Sequence, residues 1–167
     1  AKDFPNLKVA NRGISGDVTR GVLYRLKEDV IDIRPRAVVL LIGTNDLEDG
    51  GAPETIAANV KSIVAALKSH DPKMPVIACK VMPSHADMRR PAGEIRRINE
   101  LVDGAHAGEP QCIRCDTHSI FADAGGNAKR EEFPDPSTRT GRATSSRSTG
   151  ASGAASTSTT WLSTRGG

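Results

Sequence analysis

Two short loops hold the residues whose types and spacing suit acyl chemistry. One is Asn11-Arg-Gly-Ile-Ser-Gly-Asp17; the other is Gly43-Thr-Asn-Asp46, directly after the apolar run Ala37-Val-Val-Leu-Leu-Ile42. A glycine and an asparagine at the ends of two strands can aim a backbone N–H and a side-chain NH2 at one point. That donor pair stabilises the oxyanion formed when a carbonyl is attacked. The alternative is turn chemistry alone, with both loops as tight turns and Asn45 capping its local backbone.

Other reactive residue types are weaker candidates. Ser15 lies in Gly13-Ile-Ser-Gly, but Asp17 stands where a Gly-x-Ser-x-Gly elbow needs its last glycine. Cys112-Ile-Arg-Cys115 has zinc-like spacing, yet no second pair follows, and His118 alone does not complete a tetrahedral site. His70, His85 and His106 fall near expected helix ends or loops, where surface placement is the simplest reading. Lys80 and the pairs Arg89-Arg90 and Arg96-Arg97 read as solvated charges.

Loops of this kind work only on a scaffold that holds them, and the rest of the sequence supplies one. The run Ala37–Ile42 is apolar throughout and stops at Gly43, as a strand buried on both faces does. Pro75–Val81 predicts a second strand, with Leu7–Ala10 and Cys112–Cys115 as weaker ones. Between them, Val22, Leu23, Leu26, Val30 and Ile33 keep helical spacing up to Pro35. Ile56, Val60, Ile63, Val64 and Leu67 do the same behind Pro53 and Glu54, which suit a first turn. A third stripe is Ile95, Ile98, Leu101 and Val102. Strand and helix in alternation predict an α/β fold with a parallel sheet sandwiched between helices.

Composition sharpens the boundaries. Within 167 residues there are 23 Lys plus Arg and 20 Asp plus Glu, but the charge is unevenly spread. Residues 1–135 carry 19 of the bases and all the acids; residues 136–167 carry four arginines and no lysine or acid. In that last segment 25 of 32 residues are Ser, Thr, Gly or Arg, with Trp161 and Leu162 the only large apolar side chains. Such a segment buries too little surface to offset its ordering entropy, so a disordered tail is expected after a domain over 1–135. The basic excess therefore belongs to a tail and not to a folded nucleic-acid surface; four arginines with one interleaved aromatic make a poor nucleic-acid arm. No run of 18 apolar residues occurs, so no membrane-spanning helix is expected. Three cysteines do not make a disulfide scaffold.

In order and spacing, the blocks Asn11–Asp17, Gly21-Val-Leu-Tyr-Arg-Leu26, Arg34-Pro35 and Val39-Leu-Leu-Ile-Gly-Thr-Asn-Asp46 resemble the SGNH, or GDSL-type, hydrolase family. The similarity is closest to its lysophospholipase/esterase and platelet-activating-factor acetylhydrolase-like branch, and covers most of residues 5–135, including Thr117 to Phe133. The resemblance implies a three-layer α/β/α domain that cleaves a small-molecule, lipid or carbohydrate ester through a serine acyl-enzyme. It implies no metal or organic cofactor, while the composition already argues against a nucleic-acid partner and stable membrane insertion. By the same match, Gly16 supplies an oxyanion-hole N–H and Asn45 a side-chain donor. Asp135 stands where the family has the aspartate of its Asp-x-x-His motif, which orients the histidine base.

Two parts of the family pattern have no match. No Gly-Asp-Ser occurs, since Gly16-Asp17 is followed by Val18, and Thr138 stands three residues after Asp135 where the histidine belongs. The expectation is an inactive polypeptide, incomplete at both ends, whose sheet exposes apolar surface. A single-base frameshift near codon 136 accounts for the abrupt change of composition: codons exist for 135–144 that, with one base restored, read Asp-Leu-Leu-His. The alternative from another class is a non-catalytic remnant whose cleft holds an ester or glycan without cutting it.

Overall fold

The computed structural model describes residues 9–129. Three parallel strands, β1 (Val38–Leu40), β2 (Val76–Cys79) and β3 (Cys112–Cys115), lie in the order β1-β2-β3. Val38 pairs with Val76 and Val76 with Cys112; at the other end Cys79 pairs with Cys115. Helices join them: α1 (Thr19–Leu26) precedes β1, and the short α2 (Thr44–Glu48) and long α3 (Pro53–His70) follow it. Next, α4 (Ala92–Ala105) connects β2 to β3, and α5 (Thr117–Phe121) follows β3. This is the α/β class with the parallel sheet that the alternation predicts. The first two strands are shorter than their apolar runs, because only the middle residues pair, whereas β3 keeps the expected bounds.

Side chains alternate across a strand, so the two sheet faces separate cleanly. Val38, Leu40, Val76, Ala78 and Cys112 form one core with Val22, Leu26 and Val30, with Ile56, Val60, Ile63 and Leu67, and with Ile95, Ile98 and Val102. The three predicted stripes therefore pack on a single sheet face, with α3 touching both α1 and α4. The opposite row is only partly covered: Val39 and Ile77 are half-buried and Ile113 is 50% exposed. The remaining layer of the expected three is not formed by α1, α3 or α4.

The first helix departs from expectation at its end. Instead of an α-helix up to Pro35, α1 stops at Leu26 and continues as a π-turn over Lys27–Ile31, with Asp32 N–H donating to Lys27 O at 2.8 Å. A residue before proline is disfavoured in the right-handed helical region. Arg34 leaves the helical region before Pro35, at φ 50° in the left-handed region, and ends the segment. Of the weak strand expected at Leu7–Ala10, the described residues Val9 and Ala10 are not in a strand. The domain boundary expected at Asp135 and the tail 136–167 lie outside the described residues.

Candidate active site

The second loop is shaped by glycine. Gly43 takes φ 119°, a conformation L side chains rarely adopt, between β1 and α2. A Cβ there would also lie 3.1 Å from Ile56 Cγ2 and 3.2 Å from Val81 Cγ2, so both conformation and space require glycine. The turn buries Thr44, Asn45 and Asp46 together, three polar residues in a row.

Burial obliges such groups to find partners, and Asn45 and Asp46 find theirs far along the chain. Asn45 does not cap its local backbone. Its Nδ2 donates to the Asp17 carbonyl at 2.9 Å, across 28 residues, and its Oδ1 accepts from Arg90 Nη2 at 3.1 Å, across 45. The first of these bonds brings the Gly-Thr-Asn-Asp loop onto the first loop, one residue from Gly16. Gly16 itself is exposed at φ 77°, and among the described residues its N–H donates to no other group. Two of the three residues singled out by sequence thus converge; Asp135 lies outside the described residues.

The first loop is held by its charges. Arg25 donates from Nη2 and Nε to Asp17 at 2.6 and 3.1 Å, and from Nη1 to the Arg12 carbonyl at 2.9 Å. Asp17 O therefore sits on a carboxylate residue pinned to α1, which fixes the acceptor that Asn45 reaches. Ser15 is exposed, and among the described residues its hydroxyl is hydrogen-bonded to no base.

Four residues escaped the sequence reading. Arg90 is a correction: it is 6% exposed, not a solvated charge, and it pairs with Glu48 as well as Asn45, while its neighbour Arg89 is exposed as expected. Asp46 accepts from both the backbone N–H and the hydroxyl of Thr19, and Asn59 donates to the same hydroxyl at 2.9 Å. Asn99, on the buried face of α4, clamps the backbone after β2: it accepts from Val81 N–H at 2.7 Å and donates to Val81 O at 3.1 Å. His106 is the second correction: it is buried at the end of α4, with Nδ1 2.9 Å from Val102 O, rather than at the surface. No local signal marks the partners of Arg90, Asp46 or Asn99, though an asparagine inside the apolar stripe of α4 was a usable hint.

The remaining candidates separate in space. Cys112 and Cys115 are three apart on one strand, so they face opposite sides of the sheet and do not converge on an ion. Cys115 instead lies beside Cys79, whose thiol is pushed up to about 11 by burial first and by Cys115 second. Lys80 Nζ lies 2.8 Å from Asp116, and that hydrogen bond, followed by the Ser119 N–H, holds the Asp116 carboxyl well below the usual carboxylate range. Burial pushes His118 down, and among the described residues no hydrogen bond joins it to the Asn45–Arg90 network. No described helix is long and apolar enough to cross a membrane.

Known proteins resemble the chain in sequence and in fold. Residues 1–139 match the model of the GDSL-like lipase/acylhydrolase family. Platelet-activating factor acetylhydrolase IB subunit alpha1 from Bos taurus is 32% identical over 133 residues, which is 79% of this chain and 56% of that protein. The Homo sapiens counterpart is 31% identical, with 79% and 57% covered. The chain thus spans little more than half the length of these relatives. Among solved structures, a GDSL-like lipase from Bacteroides thetaiotaomicron superposes with TM-score 0.64 at 26% identity, covering 74% of this chain and 63% of that one. A putative platelet activating factor from Streptococcus pneumonia superposes with TM-score 0.66 at 21% identity, covering 73% and 60%, which speaks for the fold alone.

Proposed function

Because the chain belongs to the GDSL-like lipase/acylhydrolase family, we propose that Gly16 and Asn45 form the oxyanion side of a carboxylic ester hydrolase cleft. The observation that carries this reading is the Asn45 Nδ2 bond to the Asp17 carbonyl, which draws the two donor loops together beside Gly16. One Nδ2 proton is used in that bond; the other, with the Gly16 N–H, is available to a carbonyl oxygen as it gains negative charge. Donors already aimed at that charge lower the barrier because they need no reorganisation during the reaction.

The rest of the reaction follows the serine acyl-enzyme scheme. A serine attacks the ester carbonyl, a histidine takes its proton and returns it to the leaving alcohol, and water then releases the acid. Asp135 is the residue we assign to orienting that histidine. These 167 residues contain neither Gly-Asp-Ser nor a histidine at position 138, so we propose that this polypeptide alone does not turn over esters. The name of the mammalian relatives makes an acetyl ester of a phospholipid the first substrate to try.

The test has two arms. The purified chain, given p-nitrophenyl acetate, is expected to show no hydrolysis; robust turnover that survives Asn45→Ala would overturn the assignment. The gene is then sequenced from upstream through the codons for 130–150. In any product carrying Gly-Asp-Ser and Asp-x-x-His, Asn45→Ala is expected to lower kcat about 100-fold or more. An unchanged kcat would remove Asn45 from the oxyanion site.

A further inference from the structure

We infer that Arg90 is a positioning residue that decides which end of the Asn45 amide faces the oxyanion. The inference rests on the reading of Asn45 as an oxyanion donor, and extends it to a residue outside the two loops.

The two ends of an asparagine amide have nearly the same shape, and a half-turn about its last torsion exchanges them. The exchange would invert function. With Nδ2 inward the amide donates to a developing oxyanion; with Oδ1 inward it presents a lone pair and repels it.

Two fixed neighbours choose between these states. Arg90 only donates, and its Nη2 lies 3.1 Å from Asn45 Oδ1. The Asp17 carbonyl only accepts, and lies 2.9 Å from Asn45 Nδ2. Turning the amide over would set donor against donor at one end and acceptor against acceptor at the other.

Arg90 is suited to this by its setting. It is 6% exposed, so water does not replace it easily, and its charge is matched by Glu48, whose side chain is 39% exposed. The bond from a cation to Oδ1 also polarises the amide and makes the remaining Nδ2–H a better donor. Arg90 acts on the reaction only through Asn45.

The test reads the amide directly in the chain as it exists. In a 15N-labelled sample the Asn45 NH2 pair, assigned by its loss in Asn45→Asp, is expected to show two well-separated protons that exchange slowly with solvent. Arg90→Met is expected to collapse that separation and raise the exchange rate on the order of tenfold, as loss of one charge-assisted hydrogen bond implies. Glu48→Gln is expected to leave the pair unchanged. An Arg90→Met variant with a native-like pair would overturn the inference, as would Glu48→Gln acting as strongly as Arg90→Met. Should Arg90→Met not fold, an atomic-resolution crystal structure of the unsubstituted chain decides: Oδ1 toward Arg90 supports the inference and Nδ2 toward Arg90 defeats it. The oxyanion role of Asn45 is judged separately by the kcat of Asn45→Ala, so each can fail without the other.

Discussion

Asp46 caps the first helix from outside it: both carboxylate oxygens lie 3.0 Å from the backbone nitrogen of Thr19, 27 residues earlier in the chain. Val18, at the N-cap position of α1, has no side chain able to do this and makes no capping bond. An anion at that end also answers the partial positive charge of the helix N-terminus. The residue after Asn45 therefore holds the helix that follows the first loop, and the two loops are fixed together by adjacent residues.

Asp46→Ala should lower unfolding stability by about 2 kcal/mol, the combined loss of a cap and of charge-assisted bonds to a buried hydroxyl. Asp46→Asn, which keeps one acceptor, should lose less. Urea unfolding midpoints check both, and an Asp46→Ala midpoint equal to that of the parent would contradict the capping role.

Asn99→Leu keeps the size of the side chain on α4 and removes both of its bonds to Val81. Two buried backbone groups then lack partners, at a cost of about 2–4 kcal/mol. Amide hydrogen exchange at Val81 should accelerate along with the fall in stability; a protected Val81 amide in that variant would mean that another group had taken over.

Gly43 and Gly16 both have positive φ, but their surroundings differ. Gly43→Ala meets Ile56 and Val81 as well as backbone strain, whereas nothing lies within 4 Å of a Cβ at Gly16. Gly16→Ala should cost about 1 kcal/mol, backbone strain alone, and Gly43→Ala about 3 kcal/mol, with steric repulsion added. Thermal unfolding of the two variants tests the order, and equal losses would contradict it.

The Cys79 thiol, pushed up to about 11, should be a poor nucleophile at neutral pH. Only the thiolate reacts, so a raised pKa leaves less of it below that value. Its alkylation by iodoacetamide, followed by peptide mass spectrometry, should rise about tenfold per pH unit from 7 to 10. A plateau near pH 9 would show an ordinary thiol instead.

How far the sequence spoke depended on the range of each interaction. The stripes on α1, α3 and α4 are legible because burial of one helical face repeats every three or four residues. Gly43-Thr-Asn-Asp was legible as a motif because glycine and polar residues abruptly follow an apolar strand. Arg90 and Asn99 were not, because each is a polar residue made welcome in the interior by a partner outside its own pattern: Asn45 for Arg90, the Val81 backbone for Asn99. The π-turn was hidden too, since Val30 is buried in either helical geometry and only Pro35 hinted at an early end.

The bonds Asp17–Asn45 and Asn45–Arg90 link the loop before α1, the turn after β1 and the segment after β2. Contacts between residues so far apart form only after the intervening chain has been ordered, because closing a loop costs entropy before the contact rewards it. This junction of loops is accordingly expected to be among the last parts of the domain to assemble. It is also among the first to be lost, since an opening of either β1 or β2 removes an anchor from Asn45. The geometry of this junction thus depends on the cohesion of the whole sheet, and a substitution deep in the core that leaves the helices intact can still disturb it.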